Sequence, residues 1–165
     1  MDEASFRLFY EHSSRKLFAY LLRVSGERSL AEDLLQEAYC RFLSSKRPEM
    51  DEASQQSYLF RIATNLLRDR WRRHKEGPIP ESMPEPESGP PHLDRQLELR
   101  QAFLQLKVRE RQLLWLAYVE GSNHKEIAEA TGLRHKSVRL LLLRARRRLA
   151  NLIRAASPQR RLPNE

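Results

Sequence analysis

The chain has 165 residues, 40% hydrophobic and 32% charged, which is apolar material for one ordinary domain or two small ones. A formal charge of +8 and a pI near 10.1 point to a polyanionic partner, and a single cysteine, Cys40, excludes an internal disulfide framework. No apolar run approaches the ~20 residues a bilayer crossing needs, and the opening MDEASFRLFYEHSSRK lacks the basic start and apolar run of a secretory signal, so a cytoplasmic protein without membrane insertion is expected.

The charge excess is uneven. Residues 1–76 carry 14 Lys/Arg against 12 Asp/Glu, residues 77–97 carry 1 against 4, and residues 98–165 carry 15 against 6. The polyanion-binding surface is therefore expected to be mainly C-terminal.

In chain order, apolar residues first recur at helical spacing at Phe6, Phe9, Tyr10, Leu17, Leu21 and Val24, ending at Gly26, a residue suited to a left-handed cap. Ser29 and Glu32 have the spacing of a capping box for a second helix. Its apolar face runs through Leu34, Leu35, Ala38, Phe42 and Leu43, with Cys40 expected as a small buried thiol and Asp33, Gln36, Glu37 and Arg41 on other surfaces. A polar loop over residues 46–56 leads to a third helix over 57–77, apolar at Leu59, Ile62, Ala63 and Leu66 and cationic at Arg61, Arg68, Arg72 and Arg73.

The stretch GPIPESMPEPESGPP, with six prolines and several acids, predicts an extended connector. The expected organisation is thus an N-terminal domain over 1–76, an acidic Pro-rich linker over 77–93, a C-terminal domain over 94–156 and a flexible tail over 157–165.

After the connector, one helix is expected from a cap at Asp94 and another that stops at Gly121. Asn123 and Glu126 open a short helix, Thr131-Gly132 break it, and a long helix follows over about 134–155. Short helix, glycine turn and longer helix make the helix-turn-helix pattern, whose second helix enters the major groove. No strand alternation occurs, so the fold class is all-α, two small helical domains.

The long helix begins Arg134-His135-Lys136, cations at the end where the helix dipole already places a partial positive charge of about half a unit. DNA phosphates and base edges compensate such an arrangement. Val138, Leu142, Ala145, Leu149 and Leu152 form one apolar stripe with Leu141 beside it, while Leu140 and Leu143 fall outside. Arg139, Arg144, Arg146, Arg147 and Arg148 line the remaining surface at a spacing suited to phosphates.

His12, His74, His92, His124 and His135 show no metal-ligand spacing, and neither a glycine-rich phosphate loop nor a nucleophile–base pair is present. No metal, no cofactor and no enzymatic activity of its own is expected.

Three segments in order resemble the extracytoplasmic-function sigma factors of bacterial RNA polymerase. AEDLLQEAYCRFL (31–43) is similar to the segment that grips the clamp helices of the largest polymerase subunit. YLFRIATNLLRDRWRR (58–73) resembles the helix that reads and melts the minus-ten element. RERQLLWLAYVEGSNHKEIAEATGL followed by SVRLLLLRARRRL resembles the domain that reads the minus-thirty-five element.

The resemblance implies core polymerase as partner, through the clamp helices and the flap of the second-largest subunit, together with promoter DNA and a candidate anti-sigma factor. It implies Asp33, Gln36 and Glu37 at the polymerase, and Ser54, Gln55, Gln56, Asn65, Arg68, Arg72 and Arg73 at the minus-ten element. Arg134, His135, Lys136, Ser137, Arg139, Leu140 and Arg144 are implied at the minus-thirty-five element. The chain departs from the family pattern at Arg134, where a Ser-like cap is usual, at Leu140-Leu141, where a polar Ser-Arg pair is usual, and at Lys107-Val108, where proline is common. Two other readings stay open: a stand-alone helix-turn-helix regulator, and an interaction protein that sequesters a partner.

Overall fold

The computed structural model describes residues 1–46, 48–74 and 91–156. The connector expected over 77–93 lies outside these as far as residue 90, and so does the tail expected over 157–165. Every regular element among the described residues is an α-helix: α1 (Glu3–Ser25), α2 (Arg28–Ser44), α3 (Glu52–His74), α4 (Pro91–Leu104), α5 (Val108–Tyr118), α6 (His124–Thr131) and α7 (His135–Ala156). None of them is long and apolar enough to cross a membrane.

The helix starts follow from side chains that accept free backbone N–H groups. Asp2 accepts from the Ser5 amide at 2.7 Å, and Asn123 accepts from Glu126 at 2.9 Å while the Glu126 carboxylate takes the Asn123 amide at 2.8 Å. The Glu110 carboxylate likewise accepts the Lys107 amide at 2.8 Å at the head of α5.

Three sequence expectations are corrected here. Ser29 does not cap α2: the cap position is Glu27, whose side chain accepts no backbone N–H, and the Ser29 hydroxyl, already in the first turn, donates to the Glu27 carboxylate at 3.0 Å. The third helix begins at Glu52, because Asp51 accepts from the Ser54 amide at 2.8 Å, so Ser54, Gln55 and Gln56 are helical rather than in a loop. The fourth helix starts at Pro91, three residues before Asp94, a position proline tolerates because its missing N–H has no helical partner there.

In α1–α3 the apolar stripe of each helix packs inward. Leu17, Tyr20, Leu21, Val24, Ala31, Ala38, Phe42, Leu59, Ala63 and Leu67 are wholly buried, each large one contributing about 1.5–3 kcal/mol. Cys40, expected to be buried, is an exposed free thiol. Ala38, Tyr39 and Phe42 take the inward positions, and at ~100° per residue Cys40 then rotates onto the outer face with Gln36 and Glu37. Leu43 and Tyr10, read as part of the apolar faces, are also exposed, although Tyr10 lies against the Tyr39 ring at 4.8 Å.

The core of α1–α3 continues without interruption into that of α5–α7, where Leu113, Ile127, Val138, Leu142 and Ala145 are buried. The seam sets α3 against α6 and α1 against α5. It is polar at one point: the buried Tyr20 hydroxyl and Thr64 Oγ1 lie 2.8 Å apart, and Gln112 Nε2 donates to the Thr64 carbonyl at 3.2 Å. Gly26, at φ 75°, allows Leu104 to approach so closely that a β-carbon there would lie 2.8 Å from Leu104 Cδ2.

Candidate nucleic-acid interface

The turn between α6 and α7 is made by Gly132 at φ 70°, a left-handed conformation that favours glycine. It turns the chain so that α6 packs on both α7 and α3, with Ile127, Ala128, Ala130 and Thr131 of α6 and Val138 and Leu142 of α7 buried. The apolar stripe of α7 thereby faces inward, and its opposite face is free to meet a ligand. Leu149 and Leu152, expected on that stripe, are half-buried.

At the start of α7 and along it, Arg134, His135, Lys136, Arg139, Leu140 and Arg144 are exposed, and Ser137 is half-buried. The structure thus brings together the whole upstream set read from the sequence. No acidic residue occupies the first turn of α7, so the positive end of the helix is uncompensated from within the helix. His124 at the head of α6 and His135 at the head of α7 stand with ring centroids 6.5 Å apart, so both helix starts open on the same side. Two of the arginines meant for phosphates have protein partners: Arg146 donates to the Tyr118 hydroxyl at 3.0 Å, and Arg148 lies 3.6 Å from the Glu110 carboxylate.

The residues read as minus-ten contacts do not form one surface. Ser54 and Gln56 line a groove of about 660 Å³ with Tyr58 and Arg61, and the groove's other wall carries Glu120, Glu126 and Glu129. Gln55 is turned away, donating to the Met50 carbonyl at 2.9 Å. Asn65 and Arg68 lie at the seam: Arg68 donates through one terminal nitrogen to the Thr131 carbonyl at 2.7 Å and through the other to Asn65 Oδ1 at 3.1 Å. Arg72 and Arg73, about 28 Å along the helix from Ser54 at 1.5 Å per residue, are exposed, with Arg72 3.8 Å from Asp69.

Burial gives the seam its electrostatics. Arg111 is 3% exposed, its guanidinium lies 5.5 Å from the centre of the Trp71 ring, and burial brings its pKa down to about 10, leaving it charged at neutral pH. One face of Trp71 is thus taken by an arginine of the C-terminal half. Desolvation lowers Arg109 as well, with the Arg68 and Arg72 charges adding to it. Burial raises the Glu120 carboxyl, against the opposing effects of the Trp115 indole N–H, which donates at 3.3 Å, and of Lys16. Sequence reading missed Thr64, Arg111 and Gln112; polar residues falling on otherwise apolar helical stripes were the available signal.

On α2, Asp33, Gln36 and Glu37 are exposed on one face. Glu37 accepts from Arg41 Nε at 2.7 Å, so its charge is partly met within the helix.

The family model for sigma-70 region 2 matches residues 9–76, and that for sigma-70 region 4 matches residues 96–149. The chain is 27% identical over 153 residues to the ECF RNA polymerase sigma factor SigM of Bacillus subtilis, covering 87% of this chain and 91% of SigM. It is 28% identical over 148 residues to the ECF RNA polymerase sigma factor SigL of Mycobacterium tuberculosis, covering 84% of this chain and 82% of SigL. Among solved structures, the sigma factor RpoE of Bartonella quintana, determined in complex with the anti-sigma factor NepR, shares the fold with a TM-score of 0.65 at 21% identity, over 91% of this chain and 97% of that one. With both sigma-70 regions present in order and relatives matched over more than four-fifths of both chains, the chain belongs to the extracytoplasmic-function sigma factors.

Proposed function

We propose that the chain directs promoter-specific initiation by holding core RNA polymerase through α2 and promoter DNA through α3 and α7. As a sigma factor it binds core polymerase and promoter DNA and supplies binding energy and position, while the bond-forming chemistry belongs to the polymerase. The observation that carries the assignment of α7 is its outer face, six exposed residues of the upstream set around a helix start with no acid in its first turn. That surface suits major-groove entry, its N-terminal residues reaching base edges and its flanking arginines the phosphates.

In this reading Asp33, Gln36 and Glu37 meet basic groups on the clamp helices, α7 reads the minus-thirty-five element, and Ser54, Gln56, Arg72 and Arg73 serve the minus-ten element, with Asn65 and Arg68 joining once the seam parts. The C-terminal half would also meet the flap of the second-largest subunit, and an anti-sigma factor is the remaining candidate partner. A cytoplasmic location follows from the family's place of work. A stand-alone regulator would use α7 alike but leave the α2 face idle. Reversing Asp33 and Glu37 to Lys together should therefore weaken core-polymerase binding at least tenfold in a competition titration, while upstream duplex binding stays unchanged; equal polymerase affinity would remove α2 from the interface.

A further inference from the structure

Leu140 is 49% exposed on an otherwise cationic surface. At ~100° per residue, Lys136, Leu140 and Arg147 fall within about 40° of one another and nearly opposite the buried stripe of Val138, Leu142 and Ala145. The leucine therefore stands at the centre of the outer face, with exposed Lys136, Arg144 and Arg147 around it. It is the sixth residue of α7, within the two N-terminal turns that reach the groove floor. Leu143, the next apolar residue toward that side, is half-buried.

An apolar side chain ringed by cations is a poor match for a purely apolar protein surface, and a good one for a groove whose walls are phosphates and whose floor carries an apolar group. The major groove offers one such group, the thymine 5-methyl. Resting on the reading of α7 as the upstream recognition helix, the geometry points to Leu140 as a specificity-determining residue that packs on a thymine methyl, so that the upstream element contains an A·T pair read by its methyl. A serine or arginine here would read a hydrogen-bonding edge instead.

The test uses the chain assembled with core polymerase. Duplexes are selected from a random library, and each thymine of the selected upstream element is replaced singly by uracil, which removes the methyl and nothing else. One replacement should weaken binding about three- to fivefold, the size expected for one buried methyl group, and in Leu140→Ala the same replacement should have no effect. Because Leu140 is exposed and alanine is a better helix former, that variant keeps its fold.

A uracil effect of equal size in the variant, or no sensitive thymine at all, overturns the inference while leaving upstream recognition standing. Selection of no upstream element overturns the reading on which it rests. Methyl dependence unchanged in the variant, together with loss of a dimer in sedimentation, assigns Leu140 to a second copy of the chain and also overturns it.

Discussion

Lys136 and Arg139 test the upstream reading residue by residue. Each lies exposed in the first two turns of α7, where a bidentate base contact is worth about 1–3 kcal/mol. Lys136→Ala or Arg139→Ala should lower upstream-duplex affinity by that amount and relax preference at one base pair, read by binding to single-position duplex variants. A loss equal on every sequence, with a shallower salt dependence, would mark a phosphate contact instead. Glu120 makes a different kind of prediction. Its folded pKa is raised above the ordinary 4.5, so the stability linked to its protonated form is complete below about that pH and lost as pH rises through the folded value. Glu120→Gln keeps an acceptor for the Trp115 indole and should raise the melting temperature at pH 7 but not at pH 4; the same change at both pH values would contradict this.

Among the elements, α6 depends on a short capping box and α7 on packing against it. Asn123→Ala should cost about 1 kcal/mol of stability, measured by thermal unfolding, since it frees the Glu126 amide now held at 2.9 Å. The helix-turn-helix was legible in the sequence because Asn123, Glu126 and Gly132 are local signals acting within one turn of their targets. The stripe of α7 was legible because its period is that of a helix. The starts of α2 and α3 were not, since several Ser, Asp and Glu residues compete there, and the winning cap depends on where the helix packs. Cys40 and Leu43 were misplaced for a related reason: a one-residue rotation of α2 moves them to the outer face, and that rotation is fixed by Tyr39 and Phe42 fitting against Phe9.

At the scale of the molecule, the contacts between the halves were hidden from sequence reading, because Arg68–Thr131 and Gln112–Thr64 join residues 63 and 48 positions apart. They hold Asn65 and Arg68 on protein groups and set Glu120, Glu126 and Glu129 across the groove from Ser54 and Gln56, an unwelcoming wall for a nucleic-acid strand. Gln112→Ala should loosen this seam by about 1–3 kcal/mol, seen as a lower melting temperature, and should raise affinity for a single-stranded promoter oligonucleotide. Tighter packing of the halves, or weaker oligonucleotide binding, would count against a seam that competes with DNA. The measurement that bears most directly on the whole account is reconstituted run-off transcription with core polymerase and genomic promoter fragments. Addition of this chain should produce discrete transcripts from a subset of fragments that core polymerase alone does not transcribe; no specific initiation from any fragment, together with no binding to core polymerase, would contradict it.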